Sequence, residues 1–110
     1  MNISQYREQI SAVIASPKID QYLVGITANL DQRRKAYIGE KFPILLVLEI
    51  NLDKAAAINL ERNLFKGLVE KKRSRFYSKY HREKRDSPYR NSTGGQSGEA
   101  YCVYLAAFGP

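Results

Sequence analysis

The sequence predicts an α/β protein in which a small central sheet of about three strands is flanked by helices. Three segments rich in β-branched, aromatic or alternating apolar residues predict the strands, at positions 21–27, 44–50 and 100–108. Capped segments with helical periodicity alternate with them. Because the chain has only 110 residues, we expect a single domain spanning residues 1–110.

Residues 4–15 allow two interpretations. Tyr6, Ile10, Val13 and Ile14 recur at helical spacing after Ser4, which could cap a helix. Alternatively, residues 12–15 form a short strand that turns at the following Ser-Pro pair. We favour the helix.

The segment after the first predicted strand has the signals of a short helix. Asn29 can cap a helix that continues to about Tyr37, and Asp31 lies in its first turn, where the helix dipole favours an anion. Gly39 can end this helix.

The middle of the chain predicts a buried strand followed by the longest helix. Residues 44–50 form the apolar strand, and Asp53 caps a helix over about residues 54–72. From residue 74 to residue 98 the chain is polar, and we expect mostly loop before the last strand.

The net charge of +7 lies in one segment of the chain. Residues 1–61 are neutral, whereas residues 62–90 contain eleven basic and three acidic residues, a net charge of +8. We therefore divide the domain into a core at about residues 12–72, a basic aromatic extension at 73–98 and a C-terminal strand at 100–108. Such a cluster indicates a polyanionic partner, namely nucleic acid or a nucleotide, and the alternative is a solvated face.

Aromatic residues alternate with the cations in this extension, a combination that suits nucleic acid because rings stack on bases and cations neutralise phosphates. The alternative is that the rings pack this segment onto the sheet. The predicted nucleic-acid contacts are Arg34, Lys72, Arg73, Arg75, Tyr77, Lys79, Tyr80, Arg82, Arg85 and Arg90.

His81 is the one histidine of the sequence, and its basic neighbours favour a neutral ring that could act as a base. Residues 91–98 form either a phosphate-binding glycine-rich turn or a linker.

Composition argues against other classes of protein. The longest apolar run is far shorter than the roughly 20 residues that a membrane span needs, and the N-terminus has no apolar signal region. One cysteine cannot form an internal disulfide. We therefore expect a cytoplasmic protein without a membrane partner.

One carboxylate falls within the apolar stripe of the long helix. At 100° per residue, Glu61 lies among the side chains that face the core, which are Ala57, Leu60, Leu64, Phe65 and Leu68. A buried carboxylate requires compensation. The partner is either a structural arginine or a metal ion, and in the second case Glu61 is a functional residue.

Residues 21–70 resemble the GIY-YIG nuclease family. The family has a strand ending in Tyr-x-Gly, then a helix with an arginine eight residues after the glycine, often followed four residues later by His or Tyr. Gly25, Arg33 and Tyr37 match this spacing. The family continues with a buried strand and a helix that carries one glutamate, which correspond to residues 44–50 and Glu61.

The resemblance implies a phosphodiester hydrolase, in which a tyrosine phenolate or an activated water attacks the phosphorus. Arg33 would neutralise the charge on the phosphoryl oxygens, and Tyr37 would orient groups or transfer a proton. Glu61 would hold a divalent cation, Mg²⁺ or Mn²⁺.

The sequence departs from the family at the tyrosines. Leu23 stands where the strand tyrosine belongs, and the adjacent Tyr22 points to the other face of a strand. The family's first strand should lie near Val13, in a hairpin at about residues 12–25. A tyrosine from elsewhere, namely Tyr6, Tyr22, Tyr77 or Tyr80, replaces the missing one, or the protein binds phosphates without cleaving them.

Three functions remain open. The first is a GIY-YIG-like endonuclease that acts on DNA or RNA, with Arg33, Tyr37, Glu61, Tyr22 and His81 as its catalytic candidates. The second is an inactive module that binds nucleic acid or a nucleotide, and the third is a basic protein–protein adaptor. A domain of this size would recognise little sequence unless it forms a homodimer.

Overall fold

The computed structural model describes residues 2–39, 44–82, 85 and 100–109. Within these ranges the elements follow in the order α1 (Ile3–Ile14), β1 (Gln21–Thr27), α2 (Leu30–Gly39), β2 (Ile44–Leu52), α3 (Lys54–Val69), α4 (Arg75–Lys79) and β3 (Tyr101–Phe108). The predicted α/β class is confirmed. In the described part of the chain, no helix has the length and apolar character needed to cross a membrane.

The sheet has three antiparallel strands in the order β1-β3-β2. The C-terminal strand is therefore the central one, and both β1 and β2 form their hydrogen bonds with it. Gly25 lies opposite Tyr104, and Thr27 lies opposite Cys102. Consequently, residues 12–72 do not form a sheet without the last strand of the chain.

The N-terminal segment is a helix, as favoured above, but it begins two residues before its predicted start. Asn2 caps α1 with its side chain, and the Gln5 side chain bonds back to the Asn2 backbone amide to complete a capping box. The expectation of a strand near Val13 and a hairpin over residues 12–25 is wrong. The apolar residues of this segment recur at helical spacing, and α1 buries Tyr6, Ile10 and Ile14 on one side.

The two middle helices confirm the predicted caps. The Asn29 side chain accepts a hydrogen bond from the Gln32 amide at 3.0 Å, and the Asp53 side chain accepts one from the Ala56 amide at 2.7 Å. The strand between them extends two residues beyond its predicted end. Asn51 has a positive φ of 60° near that end, which asparagine tolerates better than most residues.

The expectation of mostly loop after residue 74 misses a short helix. Ser74 caps α4 by accepting a hydrogen bond from the Tyr77 amide at 3.2 Å. The chain then runs beside the outer edge of β1, where Tyr80 pairs with Tyr22 and the His81 amide donates to the Tyr22 carbonyl at 2.7 Å. This segment thereby covers an edge that would otherwise present unpaired backbone groups.

Helices α1, α3 and α4 contact one another, and α3 contacts all three strands. The core lies between these helices and the sheet. It includes the fully buried side chains Ile10, Tyr22, Leu64, Leu68 and Leu105. A pocket lined mainly by polar residues lies at each end of β1, at Gln21 and at Thr27.

Candidate phosphate-binding site

A pocket of about 210 Å³ lies where β1 passes into α2. It is lined by Thr27, Asn29, Gln32, Arg33 and Ala36. The Thr27 hydroxyl donates to the Asn29 carbonyl at 3.2 Å and accepts from the Asn29 amide at 3.1 Å, which makes a tight turn. The pocket runs along one side of the first two turns of α2, near the partial positive charge of the helix N-terminus.

Helix geometry selects the residues that reach the pocket. Asn29, Gln32, Arg33 and Ala36 are spaced at i, i+3, i+4 and i+7, so they share one side of α2. Arg33 is half-buried there, whereas the neighbouring Arg34 and Lys35 are exposed. Arg33 is therefore the cation that the fold directs into this pocket.

The central strand supplies a tyrosine at the same end of the sheet. The Tyr104 side chain occupies the space where a Cβ on Gly25 would lie. Residues 25 and 27 point to the same side of β1 because side chains alternate along a strand. Cys102 pairs with Thr27, donates its thiol to the Thr27 carbonyl at 3.5 Å, and has its pKa raised by burial.

Glu61 has the buried position that the helical wheel predicts, with 6% of its surface exposed. It makes at least one polar or electrostatic interaction, as a buried carboxylate requires. Helix α3 starts after Leu52, which pairs with Tyr101 at the same end of the sheet as Thr27. Arg33 and Glu61 are thus both carried by helices that begin at this end.

The other two catalytic candidates lie at the opposite end of β1. Tyr22 is fully buried, its hydroxyl donates to the Phe76 carbonyl at 2.7 Å, and burial raises its pKa. His81 bonds to the Tyr22 backbone, and its ring contacts Phe108 with centroids 6.1 Å apart. The predictions that Tyr22 and His81 act with Arg33 are corrected accordingly, because Tyr22 is a core residue and His81 is a strand-edge residue.

Several members of the predicted nucleic-acid surface are structural. Tyr80 is 4% exposed, so it packs onto the sheet instead of offering a stacking surface. The Lys79 ammonium donates to the carbonyls of Ile14 at 2.7 Å and Ser16 at 3.1 Å, which terminates α1. The Arg7 guanidinium lies 5.4 Å from the centre of the Phe76 ring. The packing alternative holds for this part of the extension.

The remaining predicted contacts differ in exposure. Tyr77 is half-buried beneath Arg85, and the exposed cations are Arg34, Lys72, Arg73, Arg75 and Arg82. Arg90, the glycine-rich residues 91–98 and the side chain of Tyr37 lie outside the described part of the structure. Their predicted roles are neither supported nor opposed by it.

Tyr6 is engaged elsewhere in the molecule. Its hydroxyl donates to Glu49 Oε2 at 2.6 Å. This hydrogen bond, together with burial, raises the pKa of Tyr6 to about 12, while the same bond lowers the pKa of Glu49. A phenol with so high a pKa is poorly suited to form a phenolate nucleophile at neutral pH.

The Tyr6–Glu49 hydrogen bond should give stability a definite pH dependence. The folded pKa of Tyr6 lies above its ordinary value of 10.0, so its contribution is complete below pH 10 and is lost as the pH rises towards 12. The folded pKa of Glu49 lies below 4.5, so its contribution is lost as the pH falls through that folded value.

We expect Tyr6→Phe to cost about 1 kcal/mol at neutral pH, since Glu49 is only partly shielded from water. The difference from wild type should shrink at both pH extremes, as measured by urea unfolding across pH. Glu49→Gln should abolish the fall in stability at low pH that Glu49 causes, because glutamine does not titrate, and it should keep part of the hydrogen bond with Tyr6. A pH-independent difference would show that the bond does not form in solution.

Sequence reasoning missed Tyr104, although it predicted the strand that carries it. No local signal places Tyr104 next to Gly25, because the pairing joins residues distant in the chain.

Among the described residues, no three His, Cys, Asp or Glu side chains cluster as a metal site. Comparison of the chain with protein-family models, with curated proteins and with solved structures found no match.

Proposed function

We propose that this protein binds nucleic acid by a backbone phosphate at the Arg33 pocket and hydrolyses the bound phosphodiester in the manner of GIY-YIG nucleases. One observation carries the proposal. Of the three consecutive basic residues of α2, which are residues 33–35, only Arg33 lines the pocket beside the helix N-terminus. Helix N-termini favour anions, and arginine forms paired hydrogen bonds with phosphate oxygens.

Hydrolysis is inferred from the family resemblance and from the buried Glu61, which does not itself line the pocket. A phosphate held by Arg33 would lie near the end of the sheet at which α3, with its buried Glu61, begins. Tyr104 lies against Gly25, but it is 2% exposed, so we assign it a packing role and not that of the tyrosine that β1 lacks. In this assignment Arg33 stabilises the charge that develops on the phosphoryl oxygens.

Glu61 fits the role of a metal ligand by its chemistry. Mg²⁺ commonly takes one or two carboxylates and completes its shell with waters and substrate phosphates, so one carboxylate is a sufficient protein donor. When bound, such an ion would supply charge neutralisation to the phosphodiester. Phosphate contact by Arg33 does not depend on this ion.

The test compares Arg33→Ala with Lys35→Ala, which removes the same charge from an exposed position of the same helix. In fluorescence anisotropy with a labelled single strand and a duplex, we expect Arg33→Ala to weaken binding by about 10-fold or more, and Lys35→Ala by about 2-fold.

Cleavage of plasmid and of single-stranded RNA should be followed with Mg²⁺ and with Mn²⁺. We expect Arg33→Ala to lower the cleavage rate by about 10²–10³-fold, and Glu61→Gln to reduce it without a comparable loss of binding. If the wild-type protein binds nucleic acid but does not cleave it, then the hydrolysis part of the proposal fails and the protein is an inactive binding module. Absence of binding at moderate salt would overturn the proposal in favour of a protein–protein adaptor.

A further inference from the structure

A second pocket of about 210 Å³ lies at the opposite end of β1. Its lining comprises Asp20, Gln21, Ser78, Tyr80, Arg82 and Arg85. The lining therefore includes two arginines, one serine and one aspartate. Arg82 and Ser78 are exposed at its rim, whereas the buried Tyr80 forms its floor against the edge of β1.

Arg85 is held in place before any ligand arrives. Its Cζ atom lies 4.1 Å from the centre of the Tyr77 ring, and its Nη1 donates to the Tyr77 carbonyl at 2.9 Å. The Arg85 amide also bonds to the His81 carbonyl at 2.8 Å. A guanidinium stacked on a ring and tied to the backbone loses little freedom on binding an anion, which favours affinity.

The two pockets lie near opposite ends of β1. Gln21 lines the second pocket and Thr27 lines the first, and they are the first and last residues of β1. At about 3.3 Å per residue, the strand separates them by roughly 20 Å. Their side chains point to the same side of β1, since both positions are odd in an alternating strand.

We propose that the Arg82–Arg85 pocket binds a second backbone phosphate of the nucleic acid strand held by Arg33, an inference that rests on the proposed function. Successive phosphates of one duplex strand advance by about 3.4 Å along the axis and also turn around it, so their direct spacing is larger and roughly 20 Å corresponds to about three phosphates of a strand. Full affinity therefore requires a strand long enough to occupy both.

The experiment measures affinity by anisotropy for labelled strands of about 2 to about 12 nucleotides, with the longer ones also annealed to a complement. We expect affinity to rise sharply once the strand exceeds about four nucleotides and then to level off. Arg82→Ala should weaken binding of the long strands by about 5–10-fold and leave the short strands unchanged, whereas Arg33→Ala should weaken both.

Two further variants make the test specific. Lys66→Ala removes an equal charge from the exposed side of α3. It should change the affinity for short strands and for long strands by no more than about 2-fold. Asp20→Asn removes the one carboxylate of the pocket and should strengthen binding of the long strands only. Thermal unfolding of each variant should show a midpoint close to that of wild type, because the substituted side chains are exposed.

The outcomes separate this inference from the proposed function. The inference about the second pocket would be overturned if Arg82→Ala and Lys66→Ala weakened binding equally, or if affinity did not depend on strand length. Phosphate binding at Arg33 would still stand. If Arg33→Ala has no effect but Arg82→Ala does, then the proposed function fails and the long strand is held by the second pocket alone. Failure of wild type to bind any strand would overturn both.

Discussion

Gly25→Ala is expected to destabilise the protein by about 1–3 kcal/mol, the usual cost of overpacking a core. A Cβ at this position would lie 2.6 Å from Tyr104 Cζ, closer than the 3.0 Å below which neighbouring groups must move. Tyr104 has little freedom to move, because it is 2% exposed on the central strand. Urea unfolding measures the loss.

Gly67→Ala is the matched control, and its effect should have the opposite sign. A Cβ on Gly67 would contact Arg7 at an ordinary 3.7 Å. Since Gly67 lies inside α3, alanine should stabilise the protein by about 0.5–1 kcal/mol.

Combining Gly25→Ala with Tyr104→Leu should cost less than the sum of the two changes, because leucine lacks the atoms that clash. A fully stable Gly25→Ala protein would show that β1 and β3 do not pair in the register described above.

Tyr80→Ala is expected to cost about 3–5 kcal/mol, as for other buried aromatic residues. The Tyr80 ring packs edge-to-face against Tyr22 at 4.9 Å and against Phe65 at 5.3 Å. Its hydroxyl accepts a hydrogen bond from the Val24 amide at 3.2 Å. Loss of this anchor should release the segment that covers the edge of β1.

Hydrogen exchange gives a local measurement of that release. In Tyr80→Ala, the amides of Val24 and His81 should exchange faster than in wild type, by more than the global loss of stability predicts. Tyr80→Phe is the control: it keeps the ring contacts and should lose about 1–3 kcal/mol through the unsatisfied Val24 amide. Equal stability of Tyr80→Ala and wild type would contradict the packing of this segment onto the sheet.

Part of the site could be predicted because its signals are local. The cap at Asn29, the strand before it and the spacing that places Arg33 on one side of α2 all lie within a few residues of one another. Glu61 was predicted to be buried from helical periodicity alone. The Ser74 cap is a comparable signal, but a helix of five residues has too little periodicity to stand out.

The rest depended on residues that are distant in sequence. The basic extension predicted a nucleic-acid surface from its composition, yet composition is the same whether a tyrosine is exposed or buried. Tyr80 is buried because it meets Phe65 and Tyr22, and Lys79 is occupied because the end of α1 lies within its reach. Neither contact has a signature in the local sequence.

The sequence by itself determined the α/β class, the order of the main helices and strands, the concentration of positive charge and the buried position of Glu61. Only the tertiary structure decided that β3 is the central strand, that Tyr104 lies against Gly25, and that a pocket at each end of β1 is lined by at least one arginine. The physical reason is one of range. Caps and periodicity act over one or two turns of chain, whereas strand pairing and side-chain burial are set by contacts between segments far apart in sequence.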